Sequence, residues 1–261
     1  MAERLKHAWR LLWPAVVGIS CLAAQLVQHT PGDHSRHFAT TAAGPMPEGH
    51  HHHMDGPLNP AQEAKRLADK KESEFNHHLA GFFTAFGGAF ILVQMIFGKN
   101  SSLKYSWPAS FLLSGIFVLV WSDTELWPFG SHQWLATLRQ DREVLQHKTF
   151  AVLLLALGTM EWLRVNQTLK AAWSALAFPV LAIGGSILLL FHEHQAGMHG
   201  PDHMMLMARI QYQHLSFAVT GIAIGLTKAL SEVPMPGQKM FARLWPLLML
   251  ILGILLMLYR E

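Results

Sequence analysis

Apolar residues gather into seven long stretches along this chain, with approximate limits 9–28, 79–97, 105–122, 149–165, 173–191, 214–230 and 244–259. Each holds roughly 15 to 20 residues, close to the roughly 20 that a helix needs to cross the hydrocarbon core of a bilayer. Trp107, Trp121, Trp162, Trp173, Trp245 and Tyr259 sit in or beside the flanks of these stretches, where amphipathic rings settle at headgroup depth. The pattern predicts an all-α fold, a polytopic transmembrane helix bundle of about seven spans, or six if the first stretch is a cleaved signal.

The polar intervals divide the chain further. A basic leader with Arg4, Lys6 and Arg10 precedes the first stretch, which reads as a signal anchor or signal peptide over 1–28. Residues 29–58 are rich in His, Pro, Gly, Ser and Thr and poor in apolar side chains. Such a segment buries too little surface to offset chain entropy, so a flexible loop is expected. Asn59-Pro60, with Gln62 three positions after the cap, signals a helix start, and no breaker follows before the second span. Residues 59–261 therefore read as the transmembrane bundle with an amphipathic helix leading into it. Pro201-Asp202 opens a comparable helix into the sixth span. The pairs Gly87-Gly88 and Gly184-Gly185 lie within spans and read as sites of close helix packing.

Charge sets the expected orientation. With the N-terminus inside, the short inner loops carry Lys99 and Lys104, then Arg164 and Lys170, then Lys228, Lys239 and Arg243, a positive-inside arrangement. The expected location is a bacterial inner membrane with the other set of loops periplasmic. Composition agrees with a membrane class: only 14% of the residues are charged and mean hydropathy is +0.23, where soluble domains carry about 25% charge. A net charge of +3 with no cluster of Lys and Arg interleaved with aromatics leaves no nucleic-acid footprint. The single Cys21 offers neither a disulfide framework nor a thiolate metal site. No nucleophile elbow, P-loop or dinucleotide fingerprint occurs.

Histidine changes the picture. The chain has 17 histidines and 13 methionines, and this topology leaves only His7 on the inner side. The candidate metal ligands are His77 and His78 at the mouth of the second span, His147 at the fourth, His192 and His194 leaving the fifth, and Met198, His199, His203, Met207 and His214 around the sixth. On a helix, His203, Met207 and His214 fall on one stripe. The run His50, His51, His52, His53 and Met54 reads as an auxiliary, collecting metal site. Imidazole suits copper, zinc, iron and nickel, whereas thioether favours Cu(I), so the mixture points to copper, with zinc or iron as other options. A single histidine at headgroup depth is ordinary; four spans presenting it together are less so. Asp123, Glu125 and Glu193 are candidates to orient imidazoles, and Glu161 is expected to pair with Arg164.

The block from His192 to His214, the paired His77-His78 and the closing segment from Trp245-Pro246 to Tyr259-Arg260-Glu261 resemble the bacterial CopD-type copper-resistance membrane proteins. The resemblance covers roughly residues 75 to 261 and lies in architecture and ligand placement; the His-rich leader departs from that family. It implies an inner-membrane protein with outward His and Met sites, engaged in periplasmic copper handling or uptake with a periplasmic copper carrier as partner. The leading expectation is thus binding and transfer of copper rather than catalytic turnover. One rival is a b-type haem electron-transfer protein with axial ligands among His78, His147, His192 and His214. A second is a membrane metal-dependent oxidase built on His199-x-x-x-His203 and His77-His78.

Overall fold

The computed structural model describes residues 59–97, 102–126, 128–191 and 201–261, of which 201–203 by backbone only. The first candidate span, the loop 29–58 with His50 to His53 and Met54, and the segment carrying His192, His194, Met198 and His199 lie outside the described residues. The described chain is an all-α bundle: α1 (Pro60–Phe97), α2 (Ser106–Trp121), the short α3 (Trp134–Gln140), α4 (Arg142–Val165), α5 (Ala177–Leu189), α6 (Pro201–Glu232) and α7 (Gln238–Met257). Single 3-10 turns at Ser102–Tyr105 and Ala172–Leu176 lead into α2 and α5.

Local chemistry starts these helices where the sequence suggests. Asn59 and Gln62 form a reciprocal cap: the Asn59 N–H donates to Gln62 Oε1 at 3.0 Å and the Gln62 N–H to Asn59 Oδ1 at 2.8 Å, satisfying donors that a helix N-terminus otherwise leaves orphaned. From there α1 runs 38 residues without a break, about 57 Å at 1.5 Å per residue. That is nearly twice the thickness of a bilayer core, so its first half stands outside the apolar layer. The amphipathic lead and the second span are therefore one helix. The same holds for α6, with 32 residues. Asp141 caps α4 by accepting from the Glu143 and Val144 amides.

Among the described residues, five helices are long and apolar enough to cross a membrane: Pro60–Phe97, Leu103–Trp121, Ala172–Leu189, Met204–Glu232 and Gln238–Met257. The sixth, α4, has 24 residues but carries Lys148, Glu161 and Arg164, charges that the bundle buries and pairs rather than exposing to lipid. Packing joins α1 to α2, α2 to α4, α4 to α5, α5 to α6, α6 to α7 and α7 back to α1, a closed ring of antiparallel neighbours. Large apolar side chains such as Phe86, Ile116, Val152, Val180, Leu226 and Ile254 remain exposed around it. An apolar belt drawn from every helix of the ring is intolerable in water and suits acyl chains. The chain is a multi-pass membrane protein.

Small residues set the closest approaches. A Cβ on Gly88 would lie 2.6 Å from the Pro246 carbonyl oxygen, and one on Gly253 2.4 Å from the Ala85 nitrogen, so α1 and α7 meet backbone to backbone. Gly158 and Gly115 do the same between α4 and α2. The expectation for Gly184-Gly185 needs correction: among the described residues a Cβ on Gly184 would meet nothing within 4 Å, and one on Gly185 would make only ordinary contact with Leu153 at 3.5 Å. The seam between α4 and α5 is the sparsest of the ring, and these two glycines do not tighten it.

Candidate functional site

Helix length alone brings three histidines to one depth. His77 precedes the end of α1 at Phe97 by 20 positions, His147 precedes the end of α4 at Val165 by 18, and His214 precedes the end of α6 at Glu232 by 18. At 1.5 Å per residue each lies about 27–30 Å from the opposite face, one bilayer core away. These three helices run in the same direction, so the histidines converge at one end of the ring. His78 and His132 share that end.

His77 and His214 meet there. Their ring centroids are 5.7 Å apart in an edge-on arrangement, and Tyr259 stacks on His77 at 3.8 Å. Each ring donates from Nδ1 to a carbonyl one turn earlier in its own helix: His77 to Ser73 O at 2.8 Å and His214 to Ile210 O at 2.9 Å. A carbonyl only accepts, so Nδ1 carries the proton and Nε2 the lone pair in each neutral ring. His78 donates from Nε2 to the Tyr259 carbonyl at 3.0 Å. The residues after α7 hold this corner in place. Ser73 donates to the Glu261 carboxylate at 2.6 Å, Tyr259 Oη to the same oxygen at 2.8 Å, and the Glu261 N–H to Glu74 at 3.1 Å. Gln213 pairs reciprocally with the main chain of Arg260.

A second group faces it across the bundle. His147 Nδ1 donates to Asp123 Oδ1 at 2.9 Å, and the Lys148 ammonium lies 2.6 Å from Oδ2. Lys148, only 5% exposed, also donates to Leu119 O at 3.0 Å and Ser122 Oγ at 3.3 Å. Burial pushes the Asp123 carboxyl up. The hydrogen bond and charge of His147, with Lys148 and Ser122, outweigh burial and hold it below the usual carboxylate range. Asn76 donates from Nδ2 to the Ser122 carbonyl at 3.1 Å, tying α1 to this group.

Below both groups lies a partly open cavity of about 270 Å³ to which all six ring helices contribute. Asn76, His77, Ser122 and His147 border its upper end, and Phe111, Phe178 and Met249 reach its lower part. Phe111 and Phe178 belong to an aromatic cluster with Trp107 and Trp245, whose rings stand 5.5–6.4 Å apart in edge-on or tilted pairs. Beyond it a polar cavity of about 640 Å³ opens at the other end, bordered by Glu161, Arg164, Lys228 and Glu232. Arg164 bonds Glu161 at 3.0 Å and Glu232 at 3.2 Å, and Lys228 pairs with Glu232 while lying 5.0 Å over the Trp245 ring. The expected Glu161–Arg164 pair is present and extends into a four-membered network.

Of the candidate ligands, the structure brings His77 to His214 and places His147 on the same cavity. His78 turns to the main chain of Tyr259. Met207 is half-buried, while Met204 and Met205 are each 68% exposed and face away from the core, so they belong to the apolar surface. His132 is exposed and sits 3.5 Å from Glu125. Asp123 orients an imidazole as anticipated, while Glu125 makes exposed contacts with His132 and, at 3.9 Å, Lys65. Among the described residues no group of three or more His, Cys, Asp or Glu side chains stands at metal-binding spacing. Two participants escaped sequence reading. Lys148 stands just before the fourth apolar stretch with no sequence sign of burial, and Asn76 carries no signal beyond its position next to His77.

No known protein family's profile matches the chain, and no solved structure matches it. One curated protein does: NADH-ubiquinone oxidoreductase chain 4 of Polypterus ornatipinnis, a membrane protein 27% identical over 160 residues, or 56% of this chain. The matched region spans 34% of that relative, about a third of its length. The similarity accords with a multi-pass membrane protein.

Proposed function

We propose that this protein binds copper at the histidine end of its helix ring and hands it on or carries it, as a copper-handling protein of a bacterial inner membrane with this end periplasmic. The carrying observation is the His77–His214 pair. Imidazoles from helices far apart in sequence meet with both Nδ1 protons fixed on backbone carbonyls, the outer hydrogen bond that ligating histidines commonly make. Two rings sharing one ion at about 2.0 Å from each nitrogen have centroids about 6 Å apart, close to the 5.7 Å observed. The remaining ligands come from the stock attached to this end of the bundle: His147 across the cavity, and His192, His194, Met198, His199, His203 and Met207 along the chain into α6. Thioethers among them favour Cu(I). The resemblance to CopD-type proteins supports the same reading, and a periplasmic carrier is then the natural donor or acceptor of the ion.

Metal binding by the purified protein tests this. Wild type should bind copper tightly and show no Soret band. His77→Ala and His214→Ala should each weaken the tightest site by at least tenfold, because a helix-fixed site cannot easily replace a lost ligand. His132→Ala should change little. Full affinity in both the His77 and His214 variants would remove the site, and a Soret band would point to haem instead.

A further inference from the structure

We propose that the central cavity is a binding site for a small, neutral, ring-bearing alcohol of the phenol or hydroquinone class, which enters it from the bilayer between α4 and α5. The cavity, about 270 Å³, has room for one or two fused rings, given that an engineered 150 Å³ cavity admits benzene. Four phenylalanines line it, Phe111, Phe150, Phe178 and Phe217, walls that suit a flat ring through edge and face contacts. A charged guest would lose its hydration there without repayment.

The polar requirement comes from Asn76. Its amide nitrogen donates to the Ser122 carbonyl at 3.1 Å, which assigns Oδ1 as the remaining acceptor. That oxygen is buried and has no hydrogen-bond donor among the described residues. A buried acceptor of this kind is satisfied by a water or by a guest that brings an O–H or N–H. An aliphatic amine would be protonated and excluded from an apolar cavity, whereas a phenolic hydroxyl on a flat ring brings a neutral donor and suits the phenylalanine walls.

The route comes from α5. The α4–α5 seam is the sparsest of the ring, and Gly185 lines the cavity on it with Leu153 and Phe150 opposite at 3.5 and 3.9 Å from where a Cβ would stand. Its neighbour Gly184 is exposed, and among the described residues a Cβ there would meet nothing within 4 Å. One helix therefore offers a blocking position and an adjacent silent one.

The test uses the full chain in lipid nanodiscs, with empty nanodiscs as the blank, titrated with 2-naphthol and with 2-methoxynaphthalene, which lacks the donor. Wild type should bind 2-naphthol saturably, one per chain, and the methoxy compound about tenfold more weakly, as expected for one buried hydrogen bond. Asn76→Leu should make the two probes equal. Gly185→Leu should abolish saturable binding, and Gly184→Leu should leave it unchanged; if Gly185→Leu lowers helix content, Ala182→Leu on the same cavity wall takes its place. Binding no greater than to empty nanodiscs, equal affinity for the two probes in wild type, or wild-type binding in both cavity-blocking variants would overturn the proposal. His214→Ala should leave naphthol binding intact, so failure of the copper site and failure of this one are separately visible.

Discussion

At the scale of single residues, the histidine end combines two kinds of imidazole. His77 and His214 are oriented by backbone carbonyls, and His147 by a carboxylate. Coordination requires the neutral ring, so copper affinity at the His77–His214 pair should fall as pH drops through the imidazole range near about 6.5. Equilibrium titration at a series of pH values measures this; a flat profile would shift the site to the methionines, whose thioethers do not protonate. Asp123 acts differently. Its carboxyl is held below the usual range, so its contribution to stability is complete above the unfolded value of about 4 and is lost as pH falls through the lower folded value. Asp123→Asn leaves Lys148 buried without its counter-charge and should cost about 3–5 kcal/mol near neutral pH. Thermal melts should show the wild type losing stability below about pH 4 and the variant responding less there; parallel melts would mean that Lys148 finds its compensation in Leu119 O and Ser122 alone.

At the scale of elements, length and small residues do most of the positioning. The excess of α1 and α6 over one bilayer thickness stands on one side, which is why His77 and His214 reach the same depth as His147. Small residues then set how closely the helices stand. Gly88→Leu should destabilise the bundle by about 1–3 kcal/mol, because its Cβ would meet the Pro246 carbonyl, a backbone atom held inside α7. Gly184→Leu, with the same added volume in open space, should melt like the wild type. Equal melting temperatures for the two variants would mean that α1 and α7 can separate at little cost. The sequence marked all of these glycines alike as small residues in apolar helices; only the neighbours distinguish a contact from a lipid-facing position.

At the scale of the whole molecule, six antiparallel helices return the chain to the side on which it set out, so Pro60 and Glu261 should lie on the same face of the membrane. Reporter fusions or cysteine labelling at residues flanking α1 and α7 measure this, and opposite faces would dismantle the ring. Placing that face in the periplasm follows from the inner-loop lysines and arginines and belongs to the proposed function. The leader lies outside the described residues, and its expected role is auxiliary. Deleting residues 45–56 should lower the number of copper ions bound while leaving the tightest site intact, since a flexible tract loses more entropy on binding than a helix-fixed pair. Loss of all binding in that deletion would move the primary site to His50–His53.

The hydrophobic pattern by itself determined the all-α class and the gathering of histidines at one end, because both depend on periodicity and on how much apolar length a bilayer demands; it missed the polar first turns of α4 and α7, which start at Arg142 and Gln238 rather than near 149 and 244, and the short α3. The cap of α1 was equally legible, since Asn59 and Gln62 act on amides within four residues of themselves, whereas the Asp141 cap of α4 came only with the structure. The tertiary structure decided which imidazoles meet. His77 and His214 are 137 positions apart, and their contact depends on ring order, helix rotation and the anchoring of Tyr259 and Glu261 on α1, none of which leaves a local trace. Neither does the cavity, nor the use of Asn76 and Lys148. A residue's depth follows from counting along its own helix, whereas its neighbours follow from how that helix turns against the others.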